Sequence, residues 1–131
     1  MKQELQENLF SEFPLLFQRN ADIRSSAMGW GFECGDGWYH LIRDVAEDLY
    51  PLVEKYREVV DEDGCYPVVT QVKEKYGTLR FYMSTATDEM HDIIDKYEEL
   101  SVKTCEVCGN PGSIDHTKGW LSATCKEHKS K

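Results

Sequence analysis

Three thiols and one imidazole carry the strongest chemical signal in this sequence. Cys105 and Cys108 are separated by two residues, as are Cys125 and His128, and sixteen residues lie between the two pairs. Two-residue spacing lets one turn of chain present two ligands to a single ion. Two such pairs supply the four nitrogen and sulfur ligands that a tetrahedral zinc ion takes. Gly109 follows the second cysteine, where a left-handed backbone closes such a turn. With four protein ligands the predicted site is closed, and therefore structural rather than catalytic. Cys125-x-x-His128 is expected in the first turn of a short terminal helix, and Trp120 is a candidate cover for the ion. His116 is the rival to His128, but stands alone in the intervening loop.

A second chemical stretch is Met28-Gly-Trp-Gly-Phe-Glu-Cys-Gly-Asp-Gly-Trp38-Tyr-His40. Its glycines would let backbone amides approach a ligand, and Trp30, Phe32 and Trp38 offer flat faces for a ring. The other reading is an irregular loop anchored by aromatics that belong to the core. A third group is cationic: Lys73, Lys75 and Arg80, with Arg24, can grip a phosphate or carboxylate, or else form salt bridges to neighbouring acids. Cys34 and His40 would make a thiol–imidazole pair if they met. No phosphate-binding loop or dinucleotide fingerprint is present.

The elements that must position these residues follow from periodicity. Leu5, Leu9, Phe10, Phe13, Leu16 and Phe17 predict a helix over 1–19 interrupted near Pro14. Asp36 is a candidate N-cap for a helix whose buried stripe is Trp38, Leu41, Ile42, Val45, Leu49, Leu52, Val53 and Tyr56. Pro51 should kink or split it, and Asp61-Glu62-Asp63-Gly64 should end it. The segments 67–72 and 78–83 read as strands joined at Lys75-Tyr76-Gly77, a β-hairpin. Two strands are marginal alone, so the hairpin must pack on helices. Thr85 is the candidate cap of a last helix with the stripe Met90, Ile93, Ile94, Tyr97 and Leu100 and an acidic opposite face. These elements predict an α+β fold: one domain over 1–131, with helices on a short antiparallel sheet over 1–103 and a zinc module resembling a zinc ribbon or treble clef over 104–131.

The chain has 131 residues, 40 % of them hydrophobic and 30 % charged, a balance typical of a folded domain. Its net charge of −9 opposes non-specific nucleic-acid binding. No apolar run approaches the ~20 residues of a membrane span, and the N-terminal segment lacks the apolar core of a secretory signal. Cytoplasmic placement is expected, with Cys34 and Cys65 as free thiols.

The segments GWGFECGDGWYHLI, QVKEKYGTLRFYM, TCEVCGNPG and GWLSATCKEH together resemble a family of small bacterial and phage proteins with a C-terminal CxxC…CxxH motif. The resemblance covers roughly residues 28–128. It implies a bacterial or phage setting, and that the glycine-aromatic loop, the hairpin and the zinc tail form one unit. It implies no activity. Two functions remain open. One is a non-enzymatic accessory factor that binds a protein partner. The other is a binder or enzyme for a small anionic aromatic ligand, using the 28–40 loop beside Lys73, Lys75 and Arg80.

Overall fold

A computed structural model of the chain describes residues 1–18, 26–56, 67–117 and 119–129. Among these, helix α1 spans Gln3–Glu12, α2 Tyr39–Tyr56 and α3 Asp88–Ser101. Strands β1 (Phe32–Glu33), β2 (Val69–Lys75) and β3 (Thr78–Met83) form one sheet, and β4 (Ser113–Asp115) and β5 (Ser122–Thr124) a second. The fold is α+β, as the periodicities predict.

The main sheet is mixed, with strand order β1-β2-β3. β2 and β3 form the expected antiparallel hairpin. Its turn is Tyr76-Gly77, with positive φ at both residues (56° and 80°), matching the twist of the strands it joins. β1 is an addition that the sequence pattern does not announce. It runs parallel to β2, with Phe32 opposite Val72 and Glu33 opposite Lys73. Two residues are too few to show an alternation, which is why they read as loop.

Phe32, Val72 and Phe81 lie in one row of this register and point into the core. There Phe17 stands edge-on to Phe32 and Phe81, at centroid distances of 5.0 and 6.2 Å. Fully buried Leu9, Leu16, Trp38, Ile42, Leu49 and Met90 complete that core from the helical side. Neither sheet edge is left bare. The Phe32 N–H donates to Gln6 Oε1 of α1. On the other side the Leu79 and Phe81 N–H groups donate to Ser101 Oγ and Glu98 Oε2 of α3. Helix side chains thus occupy the donors that would otherwise invite another strand.

Four local expectations change. α2 runs unbroken through Pro51. Pro51 and Glu47, whose carbonyl loses its helical partner, are both exposed, so water can satisfy that group. The cap of α3 is Thr87 rather than Thr85; its side chain accepts the Met90 N–H at 3.2 Å, and Asp88 and Glu89 complement the helix dipole. Asp36 does not cap α2. It opens a 3-10 turn, Asp36–Trp38, and its carboxylate accepts the Lys2 N–H instead. α1 ends before Pro14, as expected, but the helix does not resume: residues 14–16 form a turn and Phe17 bridges to Val69, because the β2 edge offers it a backbone partner. Asp61, Glu62, Asp63, Gly64, Cys65 and Arg24 lie outside the described residues. No helix among those described is long and apolar enough to cross a membrane.

Candidate metal centre

Cys105 and Cys108 sit on a tight turn that follows α3. The Gly109 N–H donates to the Cys105 carbonyl, and Gly109 takes φ 82°, the left-handed conformation expected after the second cysteine. The chain then crosses through β4 and β5, and Cys125 directly follows β5. His128 returns on a turn whose N–H donates to the Cys125 carbonyl at 3.2 Å. This last pair lies on a turn, not in the expected helix. Ribbon-like connectivity describes the module better than a treble clef.

The ligand atoms of Cys105, Cys108, Cys125 and His128 all lie within 4.8 Å of one another. Cys105 Sγ is 3.6 Å from His128 Nδ1, Cys108 Sγ is 3.7 Å from Cys125 Sγ, and Cys125 Sγ is 3.1 Å from His128 Nδ1. Four such atoms are close enough to hold one metal ion between them. The turns also aim backbone N–H groups at sulfur. Burial raises the Cys105 thiol, but N–H donors from Cys108, Cys125 and Val107 outweigh it and bring the thiol down to about 6. Burial raises Cys125 too, and the N–H and ring of His128 overcome it. Donors that stabilise thiolates in this way favour a cation at the centre. His116 is exposed and outside this cluster, and Trp120, 65 % exposed, faces solvent.

What holds the Cys105–Gly109 turn in place is the glycine-rich loop. The Gly37 N–H donates to the Glu106 carbonyl at 2.7 Å, and the Gly35 N–H to Glu106 Oε1 at 3.3 Å. Trp38 Nε1–H donates to the Thr104 carbonyl at 2.9 Å. A Cβ added at Gly35 would stand 2.4 Å from the Glu106 carbonyl oxygen, and one at Gly37 would stand 2.2 Å from that of Cys105. Two backbones therefore touch with no room for a side chain. The Glu106 N–H reaches onward to the Ala123 carbonyl in β5. The Gly35-Asp36-Gly37-Trp38 segment is a cradle for the metal turn, a role that could have been read from the Gly-x-Gly spacing only with the partner backbone in view.

This fixes the other candidate site residues. Phe32 and Trp38 are in the core, 3 % and 0 % exposed, and present no face to a ligand. Trp30 is 72 % exposed and lines a cleft of about 240 Å³ with Gln3, Gln6 and Phe10 of α1. Arg80 lines a different cleft, between β3 and α3, with Tyr82, His91, Asp95 and Glu98. Trp30 and Arg80 are therefore not partners in one cleft. The register brings Lys73 opposite Arg80 and Lys75 opposite Thr78.

Cys34 is a free thiol, buried against the cradle, whereas His40 is exposed, and no hydrogen bond joins them. Burial, reinforced by Glu106, pushes the Cys34 thiol up to about 12. At pH 8 only about one molecule in ten thousand carries the thiolate. Iodoacetamide should therefore leave Cys34 unmodified in the native protein and label it on unfolding, as read by peptide mass mapping. Rapid labelling of native Cys34 would contradict its burial.

No protein-family model, curated protein or solved structure matches the chain.

Proposed function

We propose that this chain is a non-enzymatic binding protein, stapled by one structural zinc ion on Cys105, Cys108, Cys125 and His128, that engages a protein partner. The observation that carries this reading is the ligand set itself. Three thiols and an imidazole are a borderline-soft, four-donor set suited to zinc. Around a tetrahedral zinc ion, sulfur–sulfur and sulfur–nitrogen edges are about 3.8 and about 3.6 Å. The separations of 3.7 Å for Cys108–Cys125 and 3.6 Å for Cys105–His128 fit these edges. The Cys125–His128 separation of 3.1 Å would open by about 0.5 Å around the ion. All four positions would be filled by protein, so no position remains for a substrate or an activated water.

The competing small-ligand reading loses support, because Phe32 and Trp38, two of its three stacking faces, are core residues. A thiol nucleophile loses support because Cys34 is buried with its thiol near 12. The sequence resemblance supports a partner in a bacterium or its phage, and the clustered metal-ligand thiols, with no disulfide framework among the described residues, support a reducing, cytoplasmic compartment.

Cobalt substitution tests the closed site. The purified protein should contain one zinc per chain, and the Co2+ form should show a tetrahedral, thiolate-rich spectrum that added cyanide or imidazole leaves unchanged. A spectrum that shifts with these ligands would reveal an open position and overturn the non-enzymatic reading.

A further inference from the structure

Both edges of the main sheet are occupied by helix side chains, so a partner cannot extend it by adding a strand. Its two faces differ. Phe32, Val72, Leu79 and Phe81 point into the core. Successive residues of a strand alternate between faces, so Gln71, Lys73 and Lys75 of β2 and Thr78, Arg80 and Tyr82 of β3 share the other face. Paired across the strands, they form three rows in order: Gln71 with Tyr82, Lys73 with Arg80, and Lys75 with Thr78. Tyr82 is 42 % exposed and Lys75 is exposed.

This face concentrates three cations in a chain of net charge −9. Neither Lys73 nor Arg80 forms a direct ion pair among the described residues, although the Arg80 charge reaches Glu98 across their shared cleft and favours its carboxylate. Arg80 Nε is shielded from water and has no hydrogen-bond partner, so a planar donor edge is left unsatisfied. Because Nε is shielded, a docking carboxylate is received end-on by the two terminal nitrogens of the guanidinium, which also offer two parallel hydrogen bonds.

We propose that this open sheet face is the docking surface for the protein partner, and that it takes an extended acidic segment. The inference rests on the binding-protein reading above and names the chemistry of its partner. Lys73 and Lys75 are two residues apart on one strand, about 6.8 Å. Alternate side chains of an extended segment have that same spacing. Carboxylates at positions i and i+2 therefore meet the Lys73–Arg80 row and Lys75, while an apolar or aromatic side chain at i−2 lies on Tyr82. The motif is an apolar residue, any residue, an acid, any residue, an acid.

A nucleic acid fits this surface less well. The cationic strip is bounded by Glu33 on the β1 side and by Asp95 and Glu98 on the α3 side. A continuous phosphate backbone leaving the strip in either direction would meet carboxylates and the net negative field. A segment with two carboxylates meets these flanking acids only beside the two rows it occupies, whereas a polyphosphate meets the negative field along its whole length.

Fluorescence anisotropy with the zinc-loaded full chain tests the proposal. The probes are a fluorescein-labelled Trp-Ser-Glu-Ser-Glu peptide, its Trp-Ser-Gln-Ser-Gln counterpart, and labelled oligothymidylate. The glutamate peptide should bind about tenfold tighter than the glutamine peptide. Its binding should weaken with salt and fall about tenfold in Arg80→Gln and in Lys73→Gln. Lys55→Gln, at an exposed position of α2 and away from this sheet face, should leave it unchanged. Circular dichroism checks each variant's fold, and Lys75→Gln serves if Arg80→Gln unfolds. Equal binding of the two peptides, no binding of either, or retained binding in the folded variants would overturn the proposal. Oligothymidylate binding tighter than the glutamate peptide would assign the face to nucleic acid instead. None of these failures touches the cobalt spectrum, so the closed zinc site stands or falls separately.

Discussion

Cys108→Ser is expected to empty the metal centre and unfold the C-terminal module. Cys108 is exposed, so replacing sulfur by oxygen removes little packing, and the change reads out the metal almost alone. A structural ion contributes its binding energy to folding, about 10–16 kcal/mol in small zinc modules. Losing one of four ligands should cost the folded chain at least about 4 kcal/mol. Elemental analysis should show the metal content falling from one ion per chain towards none, with a lower melting temperature that added zinc does not restore. A strong chelator should bring the unsubstituted protein to the same state. Acid should do so as well: protons compete for the sulfurs, so retention is full at neutral and higher pH and is lost on acidification. Without metal the Cys105 thiol takes up its proton as pH falls through about 6, and bound metal holds that step lower still. Full metal content in Cys108→Ser would mean that other residues hold the ion.

The second large effect belongs to Gly37→Ala, far from the ligands in sequence. φ at Gly37 is not positive, so the backbone itself accepts alanine. In an undocked loop that substitution would stabilise the protein by about 0.4–1 kcal/mol, by restricting the unfolded chain. Here the new methyl would stand 2.2 Å from the Cys105 carbonyl oxygen and 2.6 Å from the Glu106 carbonyl carbon. Both are backbone atoms of the metal turn, and no side chain can swing away to make room. The turn must move, breaking the bonds from Gly37 N–H to Glu106 and from Trp38 Nε1–H to Thr104. We expect destabilisation of about 3 kcal/mol in denaturant unfolding and faster metal transfer to a chromogenic chelator. The two models therefore differ in sign. Stabilisation, with unchanged metal transfer, would show that the loop does not hold the turn.

The sequence by itself determined the features whose physics is local. Cys105-x-x-Cys108 and Cys125-x-x-His128 are legible because two-residue spacing sets the ligand geometry of a single turn. The left-handed Gly109 and Gly77 of the hairpin turn are legible because few residues other than glycine favour positive φ. The stripes of α2 and α3 are legible because burial of one helix face repeats with the helical period. The tertiary structure decided what depends on contacts between distant segments. Trp30, Phe32 and Trp38 look alike as ring faces in sequence. Only packing sends Phe32 and Trp38 into the core and leaves Trp30 at the surface. Gly35 and Gly37 look like ligand-binding glycines, but the backbone they admit is that of Cys105 and Glu106, some seventy residues onward. β1 exists because β2 offers it a parallel edge, a pairing that two residues cannot encode. Arg80 and Lys73 come together through strand register, which a hairpin turn fixes only once its type is known. Local conformation is written in neighbouring residues, whereas the partner of a glycine or an aromatic ring is chosen by the whole chain.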